Sequence, residues 1–127
     1  MLPYRRLEAW KRSHALAVAL SRVADDAGAA RHFWFRDQLL RAAWSVPLNI
    51  AEGNGRSTPL DYAAFLDRAR GSLFEVDALL LAGFELHLID AESHSRWQQE
   101  VEELSAMLLA LIRRVRPMTH LESRRPN

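Results

Sequence analysis

Two seams of apolar residues in the second half of the chain limit its architecture more than any other feature. Tyr62, Phe65 or Leu66, Ala69, Leu73, Val76, Leu80 and Gly83 follow alternating steps of four and three, and Trp97, Val101, Leu104, Leu108, Leu111 and Val115 do the same. Such spacing keeps one stripe of a helix turned toward one neighbour, as in bundles and coiled coils. It predicts helices over about residues 59–85 and 91–115. Thr58 and Asp90 stand where N-caps belong, Pro59 falls at the first helical position, and Glu92 sits at the favourable end of the dipole. Pro117 is expected to end the last helix.

The first half is patterned differently. Over about residues 6–27, Leu7, Trp10 and Val18 lie on one side of a helical wheel and Leu16, Leu20 and Val23 nearly opposite, bridged by Ala17 and Ala24. Over about residues 33–52 there are again two stripes, Phe35, Leu39, Ala43, Val46, Ile50 and Leu40, Trp44, Leu48, Ala51. Pro47 lies inside this second helix, where its missing N–H and its ring predict a kink. An apolar arc near half the circumference is wider than one neighbouring core requires. It predicts a second buried surface, most simply another subunit; the alternative is one thick core with exposed leucines. Connections of about four to six residues make neighbouring helices antiparallel. The expectation is all-α: one up-down-up-down antiparallel four-helix bundle over residues 1–116, followed by a flexible basic tail over 117–127.

Composition excludes several function classes. With no cysteine there is no disulfide framework, thiolate nucleophile or Cys-based zinc site. The opening MLPYRRLEAWKRSHA lacks the apolar core of a signal peptide, and no apolar run approaches the ~18 residues of a membrane span. A cytoplasmic protein without a membrane partner is expected. The net charge of +1 is unevenly spread: residues 1–60 carry +4, residues 61–112 carry −7 and residues 113–127 carry +4.

The stretch NIAEGNGRSTP, residues 49–59, raises the question of a phosphate loop. A P-loop needs G-x-x-x-x-G-K-[ST] after a strand, whereas these glycines follow a helix and no lysine is present. Helix punctuation explains more. Gly53 is placed at a left-handed C′ position, Gly55 permits the reversal, and Thr58 with Asp61 forms a capping-box-like pair. Capping leaves Arg56, Asn49 and Glu52 unexplained.

Those residues carry a resemblance. QLLRAAWSVPLNIAEGNGRS followed by YAAFLDRARGSLFEVDALLLAG, with the opening YRRLEAWKRSHALA, resembles the 23S rRNA intervening-sequence protein family of small four-helix bundles over about residues 4–115. The match is most specific at Gln38, Arg41, Ala42, Ala43, Ser45, Pro47, Asn49, Ile50, Ala51, Glu52, Gly53, Gly55 and Arg56, then at Gly71, Ser72, Leu73 and Glu75. Trp44 and Leu48 replace small residues of the family pattern and add apolar bulk that bears on a subunit contact. The resemblance implies a homo-oligomer, with a pentamer favoured, and no known enzymatic activity or cofactor. It also implies a relation to accessory proteins of diversity-generating retroelements, which bind nucleic acid and a reverse transcriptase.

Other constellations weigh less. His87, Asp90 and His94 give H-x2-D-x3-H, but a zinc site needs more ligands with supporting bonds, and His94 reads as a packing residue one step before Trp97. Glu8, Glu52, Glu75 and Glu100 lack the Glu-x-x-His pairs of di-iron bundles, and no nucleophile elbow is present. The site candidates are basic: Arg5, Arg6, Lys11 and Arg12 at the start of helix 1, and Arg113, Arg114 and Arg116, with Arg124 and Arg125, at the end of helix 4. An up-down bundle puts both groups at one pole, where they can hold an RNA or DNA backbone. Equally, they can pair with the acidic second hairpin. Two readings stand: a non-enzymatic homo-oligomeric scaffold with an unidentified protein partner, or a sequence-tolerant nucleic-acid binder.

Overall fold

The structure, a computed structural model, describes the backbone of residues 1–123 and the side chains of residues 1–116. Among these residues are four α-helices and no strand: α1 (Glu8–Ala29), α2 (Phe33–Asn54), α3 (Pro59–Glu85) and α4 (Ala91–Ser123), preceded by a 3-10 turn over Pro3–Arg6. Pro3 starts that turn with its fixed φ, and Leu7, in extended backbone, separates it from α1 while its side chain packs against the core. Helix 1 therefore begins later than expected. At the other end of the chain, α4 continues through Pro117 to Ser123, correcting the expected stop and the expected tail from 117. Arg124 and Arg125 lie outside the described residues.

The seams form the core. Leu66, Ala69, Leu73, Val76, Leu80 and Gly83 of α3 are buried, as are Val101, Leu104, Leu108, Leu111 and Val115 of α4. Of the two stripes on α2, the one running from Phe35 to Ile50 is buried throughout. The other grades outward from half-buried Leu40 and Trp44 to Leu48, which is 61% exposed. The buried face of α1 is mostly small (Ala9, Ser13, Ala17, Ala24, Ala27), which lets α1 lie close along α2. Between α1 and α4 the approach is loosest of the neighbouring pairs, and long side chains bridge the gap.

The caps separate local rules that hold from one that fails. The Asp61 N–H donates to Thr58 Oγ1 at 3.1 Å and the Ser93 N–H to Asp90 Oδ1 at 2.8 Å, so both N-caps form. The bond from Ser93 holds the Asp90 carboxyl below its ordinary range. The Asp61 carboxylate faces Arg56 at 3.8 Å instead of completing a capping box. Gly53 is not the expected left-handed residue: it is buried inside α2, which runs on to Asn54, and Gly55 caps it at φ −84°. What requires glycine at 53 is space, because a Cβ there would stand 2.7 Å from Phe65 Cβ and 3.3 Å from the Tyr62 carbonyl oxygen.

The left-handed positions belong to other residues. Arg31 (φ 70°) follows α1 and His87 (φ 61°) follows α3. After α1 the His32 N–H donates to the Ala27 carbonyl at 2.8 Å and the Arg31 N–H to Gly28 at 2.9 Å. After α3 the Leu88 N–H reaches Gly83 at 2.8 Å and the His87 N–H reaches Phe84 at 3.1 Å. Both are Schellman endings with a side chain where glycine is usual.

Candidate functional site

The antiparallel order brings the start of α1 and the end of α4 to one pole, as the topology requires. There Arg6 and Arg114 flank a groove of about 340 Å³ floored by Leu7, Ala9, Met107 and Leu111. The basic candidates do not behave alike. Arg12 reaches across to α4, donating from Nε to Glu100 Oε1 at 2.9 Å and from Nη2 to Glu100 Oε2 at 2.7 Å, and it also binds Glu103. This fork holds the guanidinium protonated well above its ordinary range, and it is the main reason the Glu103 carboxyl titrates below its own. Arg116 pairs with Asp67 of α3, and Lys11 with Glu8 at 3.3 Å. Arg5, Arg6, Arg113 and Arg114 make no ion pair among the described residues. Four of these seven candidates thus carry no ion pair among the described residues.

The motif residues around NIAEGNGRS divide by role. Arg41 binds Glu75 across the α2–α3 seam and donates to Gln38 Oε1 at 2.9 Å. The hydroxyls of Ser45 and Ser72 meet at 2.7 Å, and Asn49 Nδ2 donates to the Ser45 carbonyl at 2.7 Å. These form a polar ladder between two helices, beside Gly71, where a Cβ would meet nothing within 4 Å. Arg56 lies over the Phe65 ring at 5.3 Å, next to buried Gly53. Pro47 is buried in the continuous α2, while Glu52 and Gly55 are exposed. Arg41 with Glu75 and Ser45 with Ser72 therefore fasten α2 to α3, Asn49 braces Ser45 within α2, and Arg56 of the connecting turn lies against α3, each exposed pair contributing about 0–1 kcal/mol.

The histidine pattern separates in the same way. His87 occupies the left-handed cap, Asp90 caps α4, and half-buried His94 stacks on Phe84 with ring centroids 4.8 Å apart. Among the described residues no group of three or more His, Asp or Glu is placed to hold a metal ion. No helix described is long and apolar enough to cross a membrane.

One surface escaped sequence reasoning. Tyr4 meets Trp10 edge-on at 5.0 Å, Trp10 stacks on His14 at 4.8 Å, and His14 meets Trp44 edge-on at 5.4 Å. This row lines an open groove of about 630 Å³ between the 3-10 turn, α1 and α2, continued by Pro47, Leu48 and Ala51. The Trp44 indole N–H is satisfied by Ser21 Oγ at 2.9 Å, which fixes the ring across α1. The available signal was the i, i+4 spacing of Trp10 and His14 together with the added bulk at Trp44 and Leu48.

The comparisons with known proteins agree with this architecture. A solved structure of a protein of unknown function from the S23 ribosomal protein family of Bacteroides thetaiotaomicron has a similar fold, with a TM-score of 0.78 at 20% identity. The similarity covers 82% of this chain and 97% of that one. No curated protein matches the chain. The model of the 23S rRNA-intervening sequence protein family matches residues 5–110, a span holding α1 to α3, the first part of α4 and the polar ladder, and the chain belongs to that family.

Proposed function

We propose that the protein is a non-enzymatic, homo-oligomeric scaffold. The observation that carries this reading is the outward stripe of α2, where Leu48 stands 61% exposed beside a groove walled by two tryptophans. A large apolar side chain on a continuous aromatic groove is the surface of a molecule that associates. The carboxylates at Glu75, Glu100 and Glu103 are occupied by arginines, which supports a structural use of them. Light scattering at micromolar concentration should give a mass several times 14.5 kDa, with five copies favoured. A clean monomer at that concentration would overturn the reading.

The four arginines of the α1–α4 pole that make no ion pair among the described residues favour a second reading, a sequence-tolerant grip on an RNA or DNA backbone. Each phosphate neutralised contributes about 0.9 to the slope of log affinity against log salt for duplex DNA. Replacing Arg6, Arg113 and Arg114 by Ala should flatten that slope and leave the bundle folded, because none of the three makes an ion pair among the described residues. Absence of any gel shift at about 50 mM salt, where such binding is strong, would remove this reading.

A further inference from the structure

The turn from α2 into α3 carries a chemically labile bond. Asn54 is followed by Gly55. An asparagine side-chain amide is open to attack by the backbone nitrogen of the next residue, most readily when that residue has no side chain to block the approach. Asn49, the other asparagine among the described residues, precedes β-branched Ile50 within α2, and its amide donates to the Ser45 carbonyl at 2.7 Å. At Asn54 both reacting groups are occupied in the folded chain. The Gly55 N–H donates to the carbonyls of Ala51 and Glu52, each at 3.2 Å. The Asn54 amide donates from Nδ2 to the Tyr62 hydroxyl at 3.3 Å, tying the last turn of α2 to the first turn of α3. Yet Asn54 is the final residue of α2 and Gly55 is exposed, and helix ends are where a chain opens at least cost. Nothing in the turn demands glycine at 55: its φ is −84°, and a Cβ would meet only the Glu52 carbonyl at 3.5 Å and that of Ala51 at 3.8 Å.

We propose that Asn54 is a site of spontaneous deamidation that the fold restrains, with the Tyr62 hydroxyl as the latch on the last turn of α2. When that turn opens, the Gly55 nitrogen gives up its proton to hydroxide and attacks Asn54 Cγ. A C–N bond forms, the side-chain nitrogen leaves as ammonia, and a five-membered succinimide results. Water then opens the ring at one carbonyl or the other, giving aspartate or isoaspartate. Either product puts a carboxylate at the C-terminal end of α2, where the helix dipole disfavours negative charge. Isoaspartate also lengthens the main chain by one carbon, next to Gly53, whose close approach to Phe65 sets the distance between α2 and α3. The modification therefore loosens the α2–α3 hairpin at its turn, and refolding does not reverse it.

The experiment incubates the full chain at mildly alkaline pH and follows the acid at Asn54 by peptide mapping with mass spectrometry. Wild type is compared with Tyr62→Phe, which keeps the ring beside Gly53 and removes only the hydroxyl, and circular dichroism shows that each variant folds. Acid accumulates at Asn54 and not at Asn49, and it does so faster in guanidinium chloride than in the native protein. Native Tyr62→Phe reacts about two- to tenfold faster than native wild type, the rise in opened population expected from losing one neutral hydrogen bond. In guanidinium chloride the two rates coincide, because the latch acts only in the fold. Val101→Ala, which weakens the bundle through buried Val101 of α4, keeps the native wild-type rate. Equal native rates for wild type and Tyr62→Phe, or an equal acceleration in Val101→Ala, overturn the latch. A denatured wild type that reacts no faster than the native one overturns the restraint by the fold, and that comparison needs no variant.

Discussion

Changing Gly53 or Gly71 to alanine adds the same methyl group to a helix in two opposite environments. At Gly53 the new Cβ would stand 2.7 Å from Phe65 Cβ, 3.2 Å from Tyr62 Cδ1 and 3.3 Å from the Tyr62 carbonyl oxygen. The oxygen belongs to the α3 backbone and the Phe65 Cβ is fixed directly to it, so relief requires α2 and α3 to part. Overpacking of that kind costs about 1–3 kcal/mol, against a gain of about 0.5–1 kcal/mol from replacing glycine inside a helix. The net expectation is a loss of about 1 kcal/mol. With an unfolding entropy of ~2.1 cal/mol/K per residue over 127 residues, that lowers Tm by about 4 °C. At Gly71 a Cβ meets nothing within 4 Å, so only the favourable term remains and Tm should rise by about 2–4 °C. Thermal melts followed by circular dichroism read both. Shifts of the same sign would refute the assignment of Gly53 to close helix approach and of Gly71 to open surface.

Arg31→Gly and His87→Gly should each stabilise the fold by up to about 1 kcal/mol, because both positions have positive φ and end a helix in a Schellman turn. Urea denaturation measures the change, and a loss at either site would show that its side chain does more than tolerate the backbone. Arg12→Met should flatten the acid side of the stability profile. The Glu103 carboxyl is held below its ordinary range chiefly by Arg12, so its contribution is complete above the unfolded glutamate range and disappears as pH falls through the folded value. An unchanged profile of Tm against pH in that variant would show that the bridge contributes nothing to folding.

The features legible beforehand were those within one turn of a helix or repeated along it. The α3 seam from Leu66 to Gly83 and the α4 seam from Val101 to Val115 are periodic, and periodicity alone states which stripe turns inward. Thr58 and Asp90 could be named as caps because each binds an N–H three residues on. The left-handed endings at Arg31 and His87 carried no such mark, since the expected glycine is absent, and Gly53 misled by standing near a helix end for a different reason. The family motif was visible as a string of residues. That Arg41 meets Glu75 and Ser45 meets Ser72 depends on how two helices are rotated against each other.

The chain by itself determined four helices, their antiparallel order and the composition of the core, because these follow from apolar spacing and short connections. Only the tertiary structure decided the use of the second stripe of α2. Leu40, Trp44, Leu48 and Ala51 have the spacing of a core face as much as Phe35, Leu39 and Ile50 do. A helical period gives the angle between stripes and says nothing of what stands opposite each. The small side chains on α1 draw it along α2, Trp44 then spans to Ser21, and Leu48 lies beyond the reach of either neighbour. The aromatic groove arises from that placement. It joins residues of the 3-10 turn, α1 and α2 whose proximity depends on how far apart the helix axes settle, which sequence spacing does not specify.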